Sequence, residues 1–504
     1  ALQAYPEWHG EINRDALTMY ARLGYIPAPH SIYQGVYKLM PGTMARVAGR
    51  DVLVNKGATS AAPLPARVYW SVKQVATYGV ANPFQGDEAE AAEQLESLLM
   101  KSVSRQMVAD VPLGAFLSGG VDSSTVVALM QAQADRPVKT FTIGFNEPWY
   151  DEAMYAKAVA RHLGTEHTEL YITPKEAMAV IPNLPTLYDE PFSDSSQIPT
   201  FLVSQLARRH VTVSLSGDGG DELFAGYNHY FRGQRIWNAI GWMPHGLRNM
   251  TSAMLKLIPV QAWEGFIFAL NPLLPPRIKL RHVGDKLRKL AGAVTARRPD
   301  DLYLNLISLW KKPDALVLSG HEPATALTDF SQRPVLQDFV QQMMFMDTTT
   351  YLPDDILVKL DRASMAVGLE ARVPLLDHRL VEFSWRLPLS MKVRNGQGKW
   401  ILRRVLYRYI PRELIERKKM GFSIPVDEWL RGPLRDWAEE LLNERRLRQE
   451  GFFRHEPIRE KWREHLSGHR NWQHCLWNIL MFQSWLEHTR TTTAHASVAV
   501  REMH

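Results

Sequence analysis

Two short segments carry the residue types that handle the phosphates of a nucleotide. The first, SGGVDSS at residues 118–124, sets two glycines, three serines and an aspartate on one tight turn. Gly119 and Gly120 let backbone N–H groups turn inward, and the Ser118, Ser123 and Ser124 hydroxyls add donors. The start of a helix there adds a positive dipole end for phosphate oxygens. Phosphate would repel Asp122 unless a cation lay between them. That argues for Mg²⁺, a hard ion that takes one or two carboxylates and fills its shell with phosphate and water oxygens. The loop has no lysine, and the pattern G-x-x-x-x-G-K-[ST] is absent, which disfavours a γ-phosphoryl transferase of that type. The second segment, LSGDGGDELFAGY at 215–227, again ends an apolar run in glycines and acids. Here Asp221 is expected to share the metal with Asp122, while Ser216 and Gly217 approach the nucleotide through hydroxyl and backbone. A plain acidic glycine turn is the alternative for this loop, and a ligand-free strand-to-helix turn for the first.

Both segments need strands and helices to aim them. Asp87 to Val108 carries Leu95, Leu98, Leu99, Val103 and Met107 at helical spacing. VPLGAFLSGG then reads as a strand ending in glycines, VDSSTVVALMQAQ as a helix starting near Asp122, and KTFTIGF (139–145) as a second buried strand. The alternation recurs with EAMYAKAVARHLG as helix, HTELYIT as strand, QIPTFLVSQLARR as helix and VTVSLSG as strand. Strands and helices in this order predict an α/β fold, a doubly wound parallel sheet with helices on both faces. In such sheets ligands bind at the carboxyl ends of strands, where both glycine-rich segments fall.

From about residue 232 strand signals disappear and a mostly helical C-terminal region is expected. The tail from Thr489 has no sustained period and is expected to be disordered. Upstream, Arg14 to Leu23 reads as a helix and Pro41–Gly42 as the tip of a hairpin. NKGATSAAPLPARVYW (55–70) breaks all periodicity and reads as a linker. The organisation is therefore an N-terminal piece over 1–55, a linker over 56–70, a main domain over 71–488 and a tail over 489–504.

The 504 residues are 45% hydrophobic and 22% charged, an ordinary globular balance. No run approaches the roughly 20 apolar residues of a membrane helix, and the first residues lack the layout of a signal peptide. One cysteine, Cys475, excludes an internal disulfide framework and a site of several thiolates, and a soluble cytoplasmic protein is expected. The net charge of +6 is a small excess for this length, and no nucleic-acid partner is expected from it. Basic residues crowd between Lys399 and Arg463; a solvated helical surface is the favoured reading and a cationic wall around a nucleotide the other.

SGGVDSS, LSGDGGDELFAGY and then DDILVKLDRASMAVGLEARVPLLD at 354–377 resemble, in the same order, the synthetase domain of asparagine synthetases that use glutamine. The similarity runs from about residue 65 to about residue 487. Ala225 stands where many members have a second glycine. The resemblance implies a fold of the adenine-nucleotide alpha hydrolase type that cleaves ATP to AMP and pyrophosphate. It further implies that Ser118, Gly119, Gly120, Asp122, Ser123 and Ser124 form the pyrophosphate loop, that Phe116 and Ile143 flank adenine and ribose, and that Asp122 and Asp221 bind Mg²⁺. Lys419 and Asp218 are the catalytic candidates. In ERKKMGFS, Lys419 falls where the family places a lysine at the reacting phosphate and acyl carbon, a cation that would stabilise developing charge. Gly421 and Phe422 punctuate a loop that would fold over the site. Asp189, Glu190, Asp194 and Ser195 are weaker candidates, either caps before the helix at Gln197 or walls of an acid pocket. Glu370 and Arg372 read as an internal ion pair, and His167 and His378 as structural.

GYIPAPHSIYQGVYKLMPGTM (24–44) resembles the last part of the same family's glutaminase domain. Residue 1 is alanine, whereas the family's nucleophile is an N-terminal cysteine, so the chain reads as a fragment to be tested with ammonia. The expected reaction joins aspartate to ammonia, or to nitrogen from glutamine, with ATP and Mg²⁺; a homodimer stays open. Rivals are the same chemistry on another acid, such as a sugar uronate or a β-amino acid closing to a lactam, RNA thiolation, which one cysteine disfavours, and an inactive ATP-binding scaffold.

Overall fold

In the computed structural model the described residues are 10–47, 65–145, 153–257, 292–416 and 424–502, with Leu2, Tyr5 and Trp8. Lys419 and most of the expected linker lie outside them.

Chain order begins with helix α1 (Arg14–Leu23), capped by Asn13, whose side chain accepts the Asp15 and Ala16 N–H groups, and closed by Gly24 at φ 91°. Strand β1 (Thr43–Ala45) pairs antiparallel with β2 (Ala66–Val68), so Pro41–Gly42 does not tip a hairpin. The partner strand comes from beyond residue 64, and Gly42 instead accepts the Tyr69 N–H through its carbonyl. Helix α2 (Val72–Ala81) precedes α3 (Glu88–Gln106). Asp87 and Glu90 form a reciprocal cap at the start of α3, and Leu95, Leu99 and Val103 are fully buried along one face.

The site is framed by β3 (Leu113–Phe116), α4 (Val121–Gln131), β4 (Lys139–Phe145), α5 (Ala153–Leu163), β5 (Glu166–Ile172), α6 (Gln197–Arg208) and β6 (Val213–Leu215). A fifth strand, β7 (Glu370–Arg372), completes a parallel sheet of order β5-β4-β3-β6-β7. β7 corrects the expectation that strands end before residue 232. It is three residues of mixed polarity, too short to show a period, and is held because Glu370 to Arg372 align with Val213 to Leu215. Two hydrophobic clusters cover the sheet. One joins β3 and β6 to α3, α4 and α5; the other joins Phe141, Ile143 and Phe145 of β4 to α6 and to α1.

Chain direction across the sheet reverses between β3 and β6, which are neighbours. The crevice outside the carboxyl ends of two such strands is where open α/β sheets bind ligands.

The remaining helices include α7 (Asn228–Ile240), α8 (Leu357–Met365), α9 (Trp400–Leu406) and α10 (Gln473–Glu502). A wide helical turn over Asp347–Ile356, containing Pro353, feeds α8; the Leu357 N–H bonds to the Leu352 carbonyl, five residues back. The backbone of α10 continues through Glu502, where a disordered tail was expected. Its docked first turns, fully buried at Leu476, Ile479, Leu480 and Phe482, nucleate the helix, after which each further residue is fixed at little cost.

Candidate functional site

The first glycine-rich loop leaves β3 and enters α4. Gly119 takes φ 68°, and a Cβ there would lie 2.8 Å from the Ala156 nitrogen, so the loop hugs the start of α5. Ser118 and Ser123 hydroxyls meet at 2.9 Å, and Ser123 Oγ accepts the Ser118 N–H at 3.2 Å. Gly120 begins α4 without a side-chain cap, which leaves the first-turn N–H groups to other acceptors. Ser124 is fully buried, with no hydrogen-bond partner for its hydroxyl among the described residues. A turn with serine hydroxyls and an uncapped helix start can bind phosphate oxygens.

The second loop leaves β6 beside it. Ser216 donates its N–H to the Arg372 carbonyl of β7 and its hydroxyl to Asp218 at 2.5 Å. Gly217 lies against the first loop: a Cβ there would sit 2.5 Å from the Ser123 nitrogen and 2.8 Å from the Asp122 carbonyl carbon. The two loops are thus in backbone contact, and they bring Asp122 and Asp221 together although 99 positions separate them in sequence. Burial raises the Asp218 carboxyl above its ordinary range, opposed by the Ser216 hydrogen bond and by Lys359.

Both aspartates turn to one cation, Lys399. Its ammonium pairs with Asp122 Oδ2 and lies 2.8 Å from Asp221 Oδ1. Lys399 precedes α9 with φ 60°, its N–H donating to the Phe224 carbonyl of the second loop at 2.8 Å. Burial alone would lower its pKa, but the two carboxylates outweigh this and hold the ammonium well above its ordinary value. Sequence reasoning missed this residue: Lys399 opens the stretch read as a solvated surface, yet is 6% exposed.

This geometry also tests the metal. Asp122 and Asp221 reach a common cation position, which suits a divalent ion, and among the described residues no third carboxylate, histidine or thiol joins them in a metal-binding group. A hard ion here would draw the rest of its shell from phosphate and water. It would share the position with Lys399 or displace it.

The weaker candidates separate. Asp194 pairs with Lys359 of α8 at 2.7 Å and accepts the Ser196 N–H and hydroxyl. Burial works to raise the Asp194 carboxyl, but Lys359 and these hydrogen bonds outweigh it and bring it down to about 2. Asp355, buried beside Asp194, is raised by burial and by that neighbouring charge. Lys359 also acts on Asp218, so Asp194 belongs to the site's surroundings. Glu190 instead ties down the N-terminal segment, accepting the Ile32 N–H at 2.7 Å and pairing with Lys38 at 2.6 Å. Asp189 pairs with Arg362 at the surface, and the Ser195 carbonyl accepts the Ile198 N–H. Glu370 and Arg372 pair at 2.7 Å. His167 contacts the Thr140 hydroxyl at 2.9 Å, and His378 is exposed. Phe116 is half-buried at the end of β3, whereas the Ile143 side chain is 1% exposed inside the core. No helix among the described residues is long and apolar enough to cross a membrane.

The chain is similar to known proteins over most of its length. The family model for asparagine synthase matches residues 94–487. A putative glutamine-hydrolysing asparagine synthetase of Mycobacterium tuberculosis is 32% identical over 484 residues, covering 94% of this chain and 67% of its own length. Glutamine-hydrolysing asparagine synthetase 1 of Bacillus subtilis is 27% identical over 482 residues, covering 94% of this chain and 69% of its own. At greater distance, a protein named amidase chry2 from Gibberella zeae is 23% identical over 451 residues, covering 84% of this chain and 63% of its own. The match to the model spans more than half of the sequence and includes both glycine-rich loops, β7 and Lys399, and on that ground the chain belongs to the asparagine synthase family.

Proposed function

We propose that this chain is an ATP-dependent amide ligase, with aspartate as its acid and ammonia, or glutamine nitrogen in the longer relatives, as its nitrogen source. The observation that supports it most is the convergence of Asp122 and Asp221, from adjacent loops at the strand reversal, on one cation position. The fold that goes with this reading is the doubly wound ATP-pyrophosphatase type, and the single buried thiol of Cys475 suits a cytoplasmic setting.

In this reading the loop 118–124 binds the pyrophosphate through Ser118, Ser123, Ser124 and the α4 N-terminus. Ser216 and Gly217 border the nucleotide from the second loop, and Phe116, with the backbone at the end of β4 near the buried Ile143, marks the adenine side. The substrate carboxylate attacks the α-phosphorus of ATP, pyrophosphate departs, and ammonia displaces AMP from the acyl-adenylate. Mg²⁺, held by Asp122 and Asp221, would neutralise charge on the departing pyrophosphate. Lys399 holds the two carboxylates in place when no divalent ion lies between them. Asp218 and Lys419 are the proposed groups at the acyl carbon. Holding acid, nucleotide and nitrogen together supplies rate through proximity, and excluding water protects the adenylate.

The test is acid-dependent exchange of labelled pyrophosphate into ATP over a panel of acids. Aspartate should support exchange, and Asp122→Ala and Asp221→Ala should abolish it. Exchange with a uronate but not with aspartate would remove the aspartate assignment and keep the chemistry. Normal ATP binding without exchange for any acid would leave a scaffold.

A further inference from the structure

Beyond the two loops, one cavity has walls that fit a particular ligand chemistry. It encloses about 240 Å³ and is lined by Tyr25, Tyr227, His229, Asp347 and Tyr351, with apolar side chains completing the wall. The rings stand around it as a box. Tyr25 and Tyr351 are 6.2 Å apart between centroids, Tyr227 and Tyr351 5.8 Å, and Tyr227 and His229 stack at 5.1 Å. Asp347, 2% exposed, forms the acidic side of the box and is fixed by His229 at 3.0 Å, by the Tyr230 hydroxyl at 2.6 Å and by the Tyr303 hydroxyl. Among the described residues no lysine or arginine pairs with Asp347.

Further carboxyl groups surround it, of which Asp355 and Glu222 are raised by burial and add little negative charge near neutral pH. Asp347, Asp354 and Asp355 act on Tyr25, and Asp355, Asp194, Glu222 and Asp347 act on Tyr351. Lys359 compensates Asp194 and Asp355 but lies on their side of the cluster. Aromatic faces carry negative potential, so rings and a buried carboxylate together select cations, and selectively those weakly hydrated enough to shed water against a ring. The size sets how large a cation can enter. At roughly 30 Å³ for each water-sized group the cavity holds several non-hydrogen atoms, room for a small alkylammonium or for an ammonium accompanied by water.

Position ties this cavity to the nucleotide loops. Tyr227 closes the second loop, and its hydroxyl donates at 2.6 Å to Glu222, the neighbour of Asp221. The wall therefore reaches from the cavity to the carboxylates at the nucleotide. Asp347 and Tyr351 come from the wide helical turn that feeds α8, a departure from regular helix of the kind often found at functional sites.

We infer that this aromatic and acidic cavity binds the nitrogen donor of the reaction as a cation, ammonium or a small primary alkylammonium, next to the site of acyl transfer, and that the cation gives up a proton to water before the neutral amine attacks the acyl carbon. The inference rests on the ligase reading for the identity of the reaction, while cation binding in the cavity is a separate property. Tetramethylammonium, which fits the box and has no nucleophilic lone pair, is the probe. With the wild-type chain, it should inhibit ammonium-dependent amide formation competitively against ammonium and leave the acid-dependent pyrophosphate exchange running. Asp347→Asn, nearly isosteric, should raise both the KM for ammonium and the inhibition constant of tetramethylammonium at least tenfold. Tyr351→Leu, which removes a ring and keeps the charge, should weaken tetramethylammonium more than ammonium. Substituting methylamine for ammonium separates a site for ammonium alone from one that takes organic amines. Inhibition that is not competitive with ammonium, or an Asp347→Asn KM within twofold of wild type, overturns the inference. Absence of pyrophosphate exchange in the wild type would instead overturn the ligase reading, and direct titration with tetramethylammonium would still decide whether the cavity binds cations.

Discussion

Lys399 occupies a backbone conformation, φ 60°, that side chains with a Cβ avoid at a cost of roughly 1–2 kcal/mol. Such strain persists where surrounding structure over-determines it, and here the Phe224 carbonyl, Asp122 and Asp221 all hold the residue. Lys399→Met should leave two half-buried carboxylates facing one another. Removing one partner from a buried charge network typically costs about 3–5 kcal/mol, so the denaturation midpoint should fall clearly. Added Mg²⁺ should restore more stability to this variant than to wild type, because a divalent ion takes the abandoned position; equal Mg²⁺ effects on both proteins would count against a shared cation site. The sequence made Asp122 and Asp221 legible because each sits in an unbroken motif. Lys399 was hidden by distance, 277 positions from Asp122, and by the basic residues that follow it. Ala225 is a related case: it takes φ 55° in the second loop, the left-handed region that favours the glycine many family members place there.

At the scale of elements, the two loops work as one because β3 and β6 are neighbours and Gly217 has no side chain. Gly217→Ala would drive a methyl group into the Ser123 and Asp122 backbone, where neither partner is a flexible side chain able to yield. The loops must then separate. Pyrophosphate exchange should drop about a hundredfold or more, accompanied by about 1–3 kcal/mol of destabilisation from overpacking. Near-normal exchange in a folded Gly217→Ala protein would show that close backbone apposition is not needed. The alternation of strands and helices from Asp87 to Leu215 was readable because β4 is buried along almost its whole length and α3 carries a clean apolar stripe. β7 was not, since Glu-Ala-Arg has no pattern of its own and depends on β6 for its place. The β1–β2 pairing escapes the sequence for a similar reason: each strand has three residues, too few to show a period, and the partner comes from a distant part of the chain.

Across the whole molecule, charge burial couples the fold to pH. The N-terminal segment is built into the main body: Tyr20 donates its hydroxyl to the Asn478 carbonyl, Asn478 donates back to the Tyr20 carbonyl, and Arg22 pairs with Glu322. The same close packing encloses Lys392, which is fully buried, has no hydrogen-bond partner for its ammonium among the described residues, and lies 5.2 Å from the Trp385 ring. Burial pushes its pKa down to about 7. In the unfolded chain the same lysine keeps its ordinary value near 10.4. Between these two values the unfolded state binds one more proton than the folded state, so this residue makes stability rise with pH from about 7 to about 10. Below pH 7 both states are protonated and the slope disappears, but the full penalty of a buried cation remains. At one pKa unit per 1.36 kcal/mol the penalty is on the order of a few kcal/mol. Buried Glu222, raised to about 8, contributes the opposite slope between about 4.5 and 8, as its folded form holds the proton longer. The difference between wild type and Lys392→Met isolates the lysine. The variant should be more stable at pH 7, and its advantage should shrink steadily between pH 7.5 and 9.5 in denaturant titrations. A gap between the two proteins that stays constant over that range would mean that Lys392 is charged in the folded state at neutral pH and well above it.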